Sequence, residues 1–283
     1  MSTDQRTADA FANSWNNLPP GSVYTNEQFA DWMAPLGETD FLGRDVLELG
    51  CGNGSLLVHA AGWGPRRLVG VDLGSSVETA RKNLERSGAH NANIVQADLT
   101  TFTSPGFDIV YCIGVLHHLQ EPQTGFHAVL RNVRPGGRFH CWVYAREGNG
   151  IVVALVDPIR RLTSRLPWWF TKYAIATPLA VPFYLYAKAL RALVSNNPQR
   201  LRGAPLRDYC LWIAPREFAF FRHVAFDQLV TPRTVYLRKD EIESWLAQAL
   251  QIEPGSSYVI FRNGNSWKFG GRIRKKAGTA NNE

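Results

Sequence analysis

The sequence predicts an α/β fold: a mostly parallel sheet with helices on both faces and a largely helical insertion. Three observations carry this reading. Apolar strand-like runs alternate with helical patterns from residue 44 to 144, and the first of those runs ends in a glycine-rich turn. From 145 to 234 the alternation stops and aromatics, prolines and arginines take over. Strand–helix alternation marks a parallel sheet, because parallel strands need crossover connections that helices supply.

In chain order, residues 11–36 come first and carry Trp15, Tyr24, Phe29 and Trp32 without strong periodicity. They read as helical pieces capping the mouth of the sheet. Strands are expected at 45–49, 67–72, 92–96, 107–113 and 137–144. Between the second and third, Ser75 with Glu78 three residues on is a helix start, and Gly88 is a helix stop. Residues 239–249 place Ile242, Trp245 and Leu246 on one helical face, and 257–261 is extended, as in a terminal antiparallel strand pair. The chain divides into a cap segment (1–36), a ligand-binding core (37–144), the insertion (145–234), a return to the sheet (235–272) and a basic flexible tail (273–283).

At 283 residues the chain has the size of one domain with a large insertion. Cys51, Cys112, Cys141 and Cys210 form no Cys-x-x-Cys pair and no disulfide-like spacing, which implies a reducing compartment and no metal. The first 17 residues lack the basic-then-apolar order of a secretory signal, so a cytoplasmic location is expected. The net charge of +7 favours anionic partners, and much of it lies in arginine clusters at 160–165, 200–207 and 272–276. A solvated face accounts for such clusters equally well.

The chemistry starts at the first strand, which ends Glu48-Leu49-Gly50-Cys51-Gly52-Asn53-Gly54 and opens a helix at Ser55. Glycines permit a tight turn and let backbone approach a ligand. In an open parallel sheet the ligand lies beyond the carboxyl ends of the strands, where this turn must be. A dinucleotide fingerprint wants glycine or alanine at position 55, where this chain has serine. Glu48, two residues before the first glycine, suits an ammonium or sulfonium ligand better than a diphosphate. Asp72 ends the second strand 20 residues beyond Gly52, where a carboxylate accepts hydrogen bonds from a ribose diol; helix capping is its alternative. Asp98 ends the third strand and is placed to accept from an adenine amino group, or to make a turn.

Together these residues, the segment from Phe107 to Leu119 and the run Leu130-Arg131-Asn132-Val133-Arg134-Pro135-Gly136-Gly137 resemble the class I, Rossmann-like S-adenosylmethionine-dependent methyltransferases. Within them the likeness is to the ubiquinone and menaquinone biosynthesis branch, over about 100 residues in order. The resemblance implies a seven-stranded sheet, S-adenosyl-L-methionine as cofactor and methyl transfer as activity. It implies that Gly50, Cys51, Gly52, Asn53 and Gly54 approach the methionine moiety, with Glu48 orienting its amino group. Asp72 with Leu73 would hold the ribose, Asp98 with Leu99 the adenine, and Cys112, Ile113 and Gly114 would offer carbonyls to the amino group. The turn at 134–137 is structural in the family.

A base is needed only if the acceptor must lose a proton. His117 and His118, just beyond the fourth strand, are the candidates, and packing with backbone hydrogen bonding is their other role. Acceptor specificity in the family comes from added segments, here 11–36 and 145–234, with Trp15, Tyr24, Tyr209 and Arg222 as candidate substrate contacts. Their aromatic content implies an apolar acceptor or a closed lid. The expected activity is O-methylation of a small, partly apolar molecule, with carbon and nitrogen left open; the alternatives are an idle adenosylmethionine-binding module and an RNA methyltransferase. No nucleic-acid partner is expected, since the position of an Asn/Asp-Pro-Pro-Tyr/Phe sequence reads Ile113-Gly114-Val115-Leu116. Residues 173–187 carry no charge and are too short to span a bilayer. Trp168 and Trp169, flanked by Arg160, Arg161, Arg165, Lys172, Lys188 and Arg191, make 160–191 a candidate for peripheral membrane contact.

Overall fold

Each of the five apolar runs forms a parallel strand: β1 Asp45–Leu49, β2 Arg67–Asp72, β3 Ala92–Gln96, β4 Phe107–Ile113 and β5 Val133–Tyr144. The computed structural model describes residues 24–195, 197 and 199–275, with residues 5, 7–9, 11 and 12 near the N-terminus. A hairpin of β6 Tyr258–Arg262 and β7 Ser266–Arg272 completes the sheet, with β7 antiparallel to β5. The strand order is β3-β2-β1-β4-β5-β7-β6. The order reverses between β1 and β4, and the crevice above their carboxyl ends is where such a sheet binds ligands.

Alternation within the strands explains both layers of helix. Leu47, Leu49, Val110 and Cys112 face one core, built on α4 (Pro122–Asn132) and α9 (Lys239–Gln248) through Phe126, Val129, Ile242 and Leu246. Val46, Ile109 and Tyr111 face the other, built on α1 (Asn26–Met33), α2 (Ser55–Gly62) and α3 (Val77–Arg86). Val46, Leu47 and Leu49 are wholly buried, each worth about 1.5–3 kcal/mol of apolar transfer. That two-sided burial is why β1 reads as a continuous apolar run interrupted only by Glu48.

Three local expectations need correction. Helix α3 is preceded by Ser76 and not by the expected Ser75 as its cap position, and it has no side-chain cap: the Ser76 hydroxyl is hydrogen-bonded to Asp72. Strand β5 begins at Val133 rather than 137: Phe107 pairs with Val133 and Ile109 with Arg138, so residues 134–137 bulge out of register. The start of the tail is also packed, since Ile273 is buried and bridges Ile252, and the Arg274 amide donates to the Gln251 carbonyl.

The insertion is helical: α5 (Gly150–Thr163), a turn at Trp168–Phe170 running through a π-helical turn (Thr171–Ala176) into α6 (Thr177–Val194), then α7 (Arg207–Ile213) and α8 (Phe218–Val230). Ala180, Ala187 and Leu190 of α6 pack with Cys210, Ile213 and Phe221 in a core of their own. Arg160, expected on a basic surface, is buried. Its guanidinium donates to the Gln228 carbonyl (2.7 Å), the Gln228 side chain (2.8 Å), Asp157 (2.6 Å) and the Tyr236 hydroxyl (3.2 Å). Planar arginine can bond several acceptors at once, which a lysine cannot. Lys172 is likewise buried, which lowers its pKa, so two of the cations assigned to a membrane flank point inward.

Arg160 therefore joins α5 to α8 and to the segment returning to the sheet. Replacing it with alanine leaves Asp157 and Gln228 without their donor. Arg160→Ala is expected to lower unfolding stability by about 3 kcal/mol, measured by denaturant titration; a change below about 0.5 kcal/mol, the range of ordinary surface substitutions, would show that the network does not hold the insertion.

Candidate active site

The carboxyl ends of β1 and β4 open into a cavity of about 680 Å³ that the insertion covers. Its floor is the glycine turn. Gly50, Gly52 and Gly54 all have positive φ (83°, 53° and 75°), the left-handed region that disfavours other residues. Their roles differ. A Cβ on Gly50 would lie 2.3 Å from Val115 Cγ2, and one on Gly54 3.0 Å from the Ala80 Cβ of α3. A Cβ on Gly52 would meet nothing within 4 Å and would project into open space. Gly50 and Gly52 line the cavity, whereas Gly54 lies outside its wall and permits close packing of the turn on α3.

Three acids surround the turn. Glu48 is 1% exposed and accepts a hydrogen bond from the Tyr111 hydroxyl (3.1 Å). Burial pushes its carboxyl up to about 8, against the lowering effect of Tyr111, and the Asp72 charge adds to the rise. A buried acid at a cavity wall with this affinity for a proton is a site prepared for a cation. Asp72 accepts from the Gly52 amide and the Gly74 amide, both at 2.8 Å. Burial raises its pKa while these bonds lower it. The Ser76 hydroxyl and the Leu73 amide also donate to it, so a ligand diol would have to displace or share one of these donors. Asp98 lines the cavity and caps its own turn, accepting from the Thr100 amide (2.8 Å) and hydroxyl (2.7 Å).

Cys51, Asn53, Leu73, Leu99, Ile113 and Gly114 also line the cavity. Cys112 does not: it is wholly buried on the opposite face of β4, and burial pushes its thiol up.

The two histidines separate. Leu116–His118 is a 3₁₀ turn, in which neighbouring side chains point about 120° apart. His118 lines the cavity, and its Nδ1 lies 3.0 Å from the Arg233 carbonyl. A carbonyl only accepts, so Nδ1 carries the proton and Nε2 the lone pair. Burial lowers its pKa to about 4, which keeps the ring neutral. His117 is turned away from the cavity, packing 4.2 Å from Tyr144; neither ring nitrogen has a hydrogen-bond partner among the described residues, and burial lowers its pKa. His117 is thus removed from the candidate bases.

Of the expected substrate contacts, Tyr24 and Tyr209 line the cavity. Arg222 does not; its guanidinium lies over the Tyr173 ring at 5.7 Å. Trp15 falls outside the described residues. Sequence reasoning missed the far wall, which is made by Trp142, Phe183, Trp212, Phe220, Gln228 and Tyr236. The expected return to the sheet begins at the site itself: the Val235 amide donates to the His117 carbonyl (2.7 Å), while the Leu237 amide donates to the Tyr144 carbonyl (3.0 Å).

Residues 46–137 match the methyltransferase domain family. A ubiquinone biosynthesis O-methyltransferase from Thiobacillus denitrificans is 35% identical over 132 residues, 46% of this chain and 54% of its own length. An uncharacterized protein from a Synechococcus strain is 31% identical over 150 residues, 51% of this chain and 36% of its own. The chain thus spans about half, or less, of the length of these relatives. The fold is shared with an O-methyltransferase family protein from Burkholderia thailandensis, at a TM-score of 0.53 and 13% identity over 89% of this chain and 57% of that one.

Strand order, glycine turn and family match define a domain of the class I, S-adenosylmethionine-dependent methyltransferase type. Through that domain the chain is related to the ubiquinone biosynthesis O-methyltransferases.

The residues present fit the cofactor: Glu48 would face its ammonium group, Gly52 leaves room for it, and Asp72 lines the cavity where a diol could exchange with one of its present donors. Because Glu48 holds a proton below pH 8, binding an ammonium should expel it. Affinity for S-adenosylhomocysteine is expected to rise as pH increases from 6 toward 8, with release of about one proton, read by calorimetry in buffers of different ionisation enthalpy. Proton-neutral binding would overturn the assignment. In the ligand-free protein the sign reverses. The native state keeps a proton that the unfolded chain loses above pH 4.5, so Glu48 costs stability as pH rises from 4.5 to 8. Glu48→Gln should therefore raise the ligand-free melting temperature at pH 8 while weakening binding on the order of tenfold or more; a lower melting temperature would show that Glu48 is there for structure.

Proposed function

We propose that the chain transfers a methyl group from S-adenosyl-L-methionine to an oxygen of a small, partly apolar molecule held between the sheet and the insertion. The observation that carries this reading is the single cavity shared by Glu48, Gly52 and Asp72 at one end and Tyr24, Tyr209, Gln228 and Tyr236 at the other. A cofactor on the glycine turn and an acceptor under the insertion would meet beside β4. Phe183, Trp212 and Phe220 offer rings for an apolar body, and the hydroxyl of Tyr236 and amide of Gln228 offer bonds to a polar group.

The sulfonium supplies an activated methyl group, so the protein has to hold the partners in line and manage one proton. Positioning alone contributes several kcal/mol. Glu48 would fix the ammonium, Asp72 the ribose diol and Asp98 the adenine edge. His118, neutral and with Nδ1 committed to the Arg233 carbonyl, presents Nε2 as the acceptor for a hydroxyl proton. Its low proton affinity makes it a weak base for a free hydroxyl, but an oxygen receiving a methyl group becomes oxonium-like and its proton acidic enough for such a base to take. That suits a proton that leaves as the bond to carbon forms. Kinship with O-methyltransferases supports oxygen as the target; the aromatic wall supports an acceptor with an apolar part.

Titration with S-adenosylmethionine and S-adenosylhomocysteine tests the cofactor half: binding of both, and none of NAD, is expected, and binding of neither to folded protein would overturn it. For the base, His118→Gln should lower kcat on a hydroxyl acceptor on the order of a hundredfold with cofactor affinity unchanged. The same variant of His117 should alter stability more than turnover. Full activity of His118→Gln would remove the histidine from the proton path.

A further inference from the structure

Between residues 158 and 207 there is no aspartate or glutamate, while nine cations occur: Arg160, Arg161, Arg165, Lys172, Lys188, Arg191, Arg200, Arg202 and Arg207. Arg160 and Lys172 are buried, but Arg161, Arg165 and Arg191 stand in solvent. The same segment carries unusual apolar exposure. Among the described residues, thirteen of the seventeen exposed large hydrophobic side chains lie between 151 and 201, so the exposure is a property of the insertion and not of the sheet.

On α5 the exposed residues Ile151, Leu155, Ile159 and Leu162 follow i, i+4, i+8, i+11 spacing, one helical face. The first three also line the cavity, as does Leu179 of α6, which is 44% exposed. Residues that both line a cavity and face solvent are its rim. The rim is thus apolar and continues outward along α5 to Leu162, and Trp169 in the next turn is 55% exposed.

We propose that this face of the insertion docks on an anionic phospholipid bilayer, with the rim of the cavity against the lipid, so that a lipid-soluble acceptor enters from the membrane. Only the acceptor clause rests on the reading given under Proposed function. Exposed leucine and tryptophan interleaved with arginine match the chemistry of an anionic interface, and the one acid of α5, Asp157, is paired with Arg160. Contact would be peripheral, since no helix among the described residues is long and apolar enough to cross a membrane. The cations alone would also suit an RNA backbone, but phosphate binding gives no use to exposed leucines.

The test needs no cofactor. The full chain is sedimented with vesicles of phosphatidylcholine and with vesicles of equimolar phosphatidylcholine and phosphatidylglycerol. Binding to the second and not the first is expected. Arg161→Glu with Arg165→Glu should weaken it on the order of a hundredfold, and Leu162→Ser with Trp169→Ala on the order of tenfold, both with an unchanged unfolding midpoint. All four cysteines are buried, so a nitroxide on Leu155→Cys reports the rim selectively. It should lose access to an aqueous nickel chelate and gain access to oxygen when vesicles are added. A nitroxide on Leu250→Cys, a residue 78% exposed outside the insertion, should not change. No sedimentation with anionic vesicles, binding undiminished in both double variants, a rim label that stays aqueous, dimerisation that the leucine–tryptophan variant abolishes, or retention of RNA in place of vesicles would each overturn the proposal. Failure to bind S-adenosylmethionine would leave these readings intact and bear only on the acceptor clause.

Discussion

The hydrogen bonds that Asp72 accepts from the Gly52 and Gly74 amides join the turn after β1 to the turn after β2. Those turns belong to adjacent parallel strands, so one carboxylate fixes their relative height. Gly52 is thereby held at positive φ with its open side to the cavity. The Ser76 hydroxyl, drawn to the same carboxylate, is lost to helix capping. An aspartate at the end of β2 consequently has a structural function before any ligand arrives. Gly52, Gly74, Ser76 and Leu73 together engage a carboxylate with about four acceptor positions, so a ligand diol would bind by displacing one of these donors.

A second constraint acts at the end of β4. The 3₁₀ turn at 116–118 sends one imidazole toward the cavity and the other against Tyr144 of β5, and the return segment bonds both residues. The Arg233 carbonyl takes His118 Nδ1, and the Val235 amide takes the His117 carbonyl. The insertion therefore bears on the site in two ways: it covers the cavity, and its C-terminal junction sets the tautomer of His118, which lines the cavity as His223 of α8 also does. Moving the junction by a residue would withdraw the acceptor that keeps Nδ1 protonated.

The core was legible because its strands are buried on both faces and its turn demands glycine, two constraints that act through local sequence. Val46-Leu47-Glu48-Leu49 and Gly50 to Gly54 state their environment directly. The fate of His117 against His118 was not legible, since it depends on a turn geometry and on residues 233–235, far along the chain. Arg160 was misread for a related reason. An arginine on a helical stretch between other arginines looks like surface, and only the packing of α5 against α8 brings the Gln228 and Tyr236 acceptors to it. Arg222 was misread the other way, its aromatic neighbour Tyr173 lying outside the cavity. Residues that act through tertiary contacts leave no periodic trace in sequence.

The buried Arg160 network also bears on how the insertion can expose so much apolar surface and still hold a defined rim. A helix presenting Leu155 and Leu162 to water gains nothing from that face, so α5 must be fixed by its other side. Val156 packs against Phe226 and Leu229 of α8, and Arg160, one turn on, bonds the Gln228 backbone. Gln228 and Tyr236, which take the guanidinium, themselves line the cavity. Rim and polar wall are therefore coupled through a single side chain. An acceptor that engages Gln228 or Tyr236 would compete for the same hydrogen-bonding groups that position the rim, which gives binding in the cavity a direct physical route to the orientation of the helix that borders it.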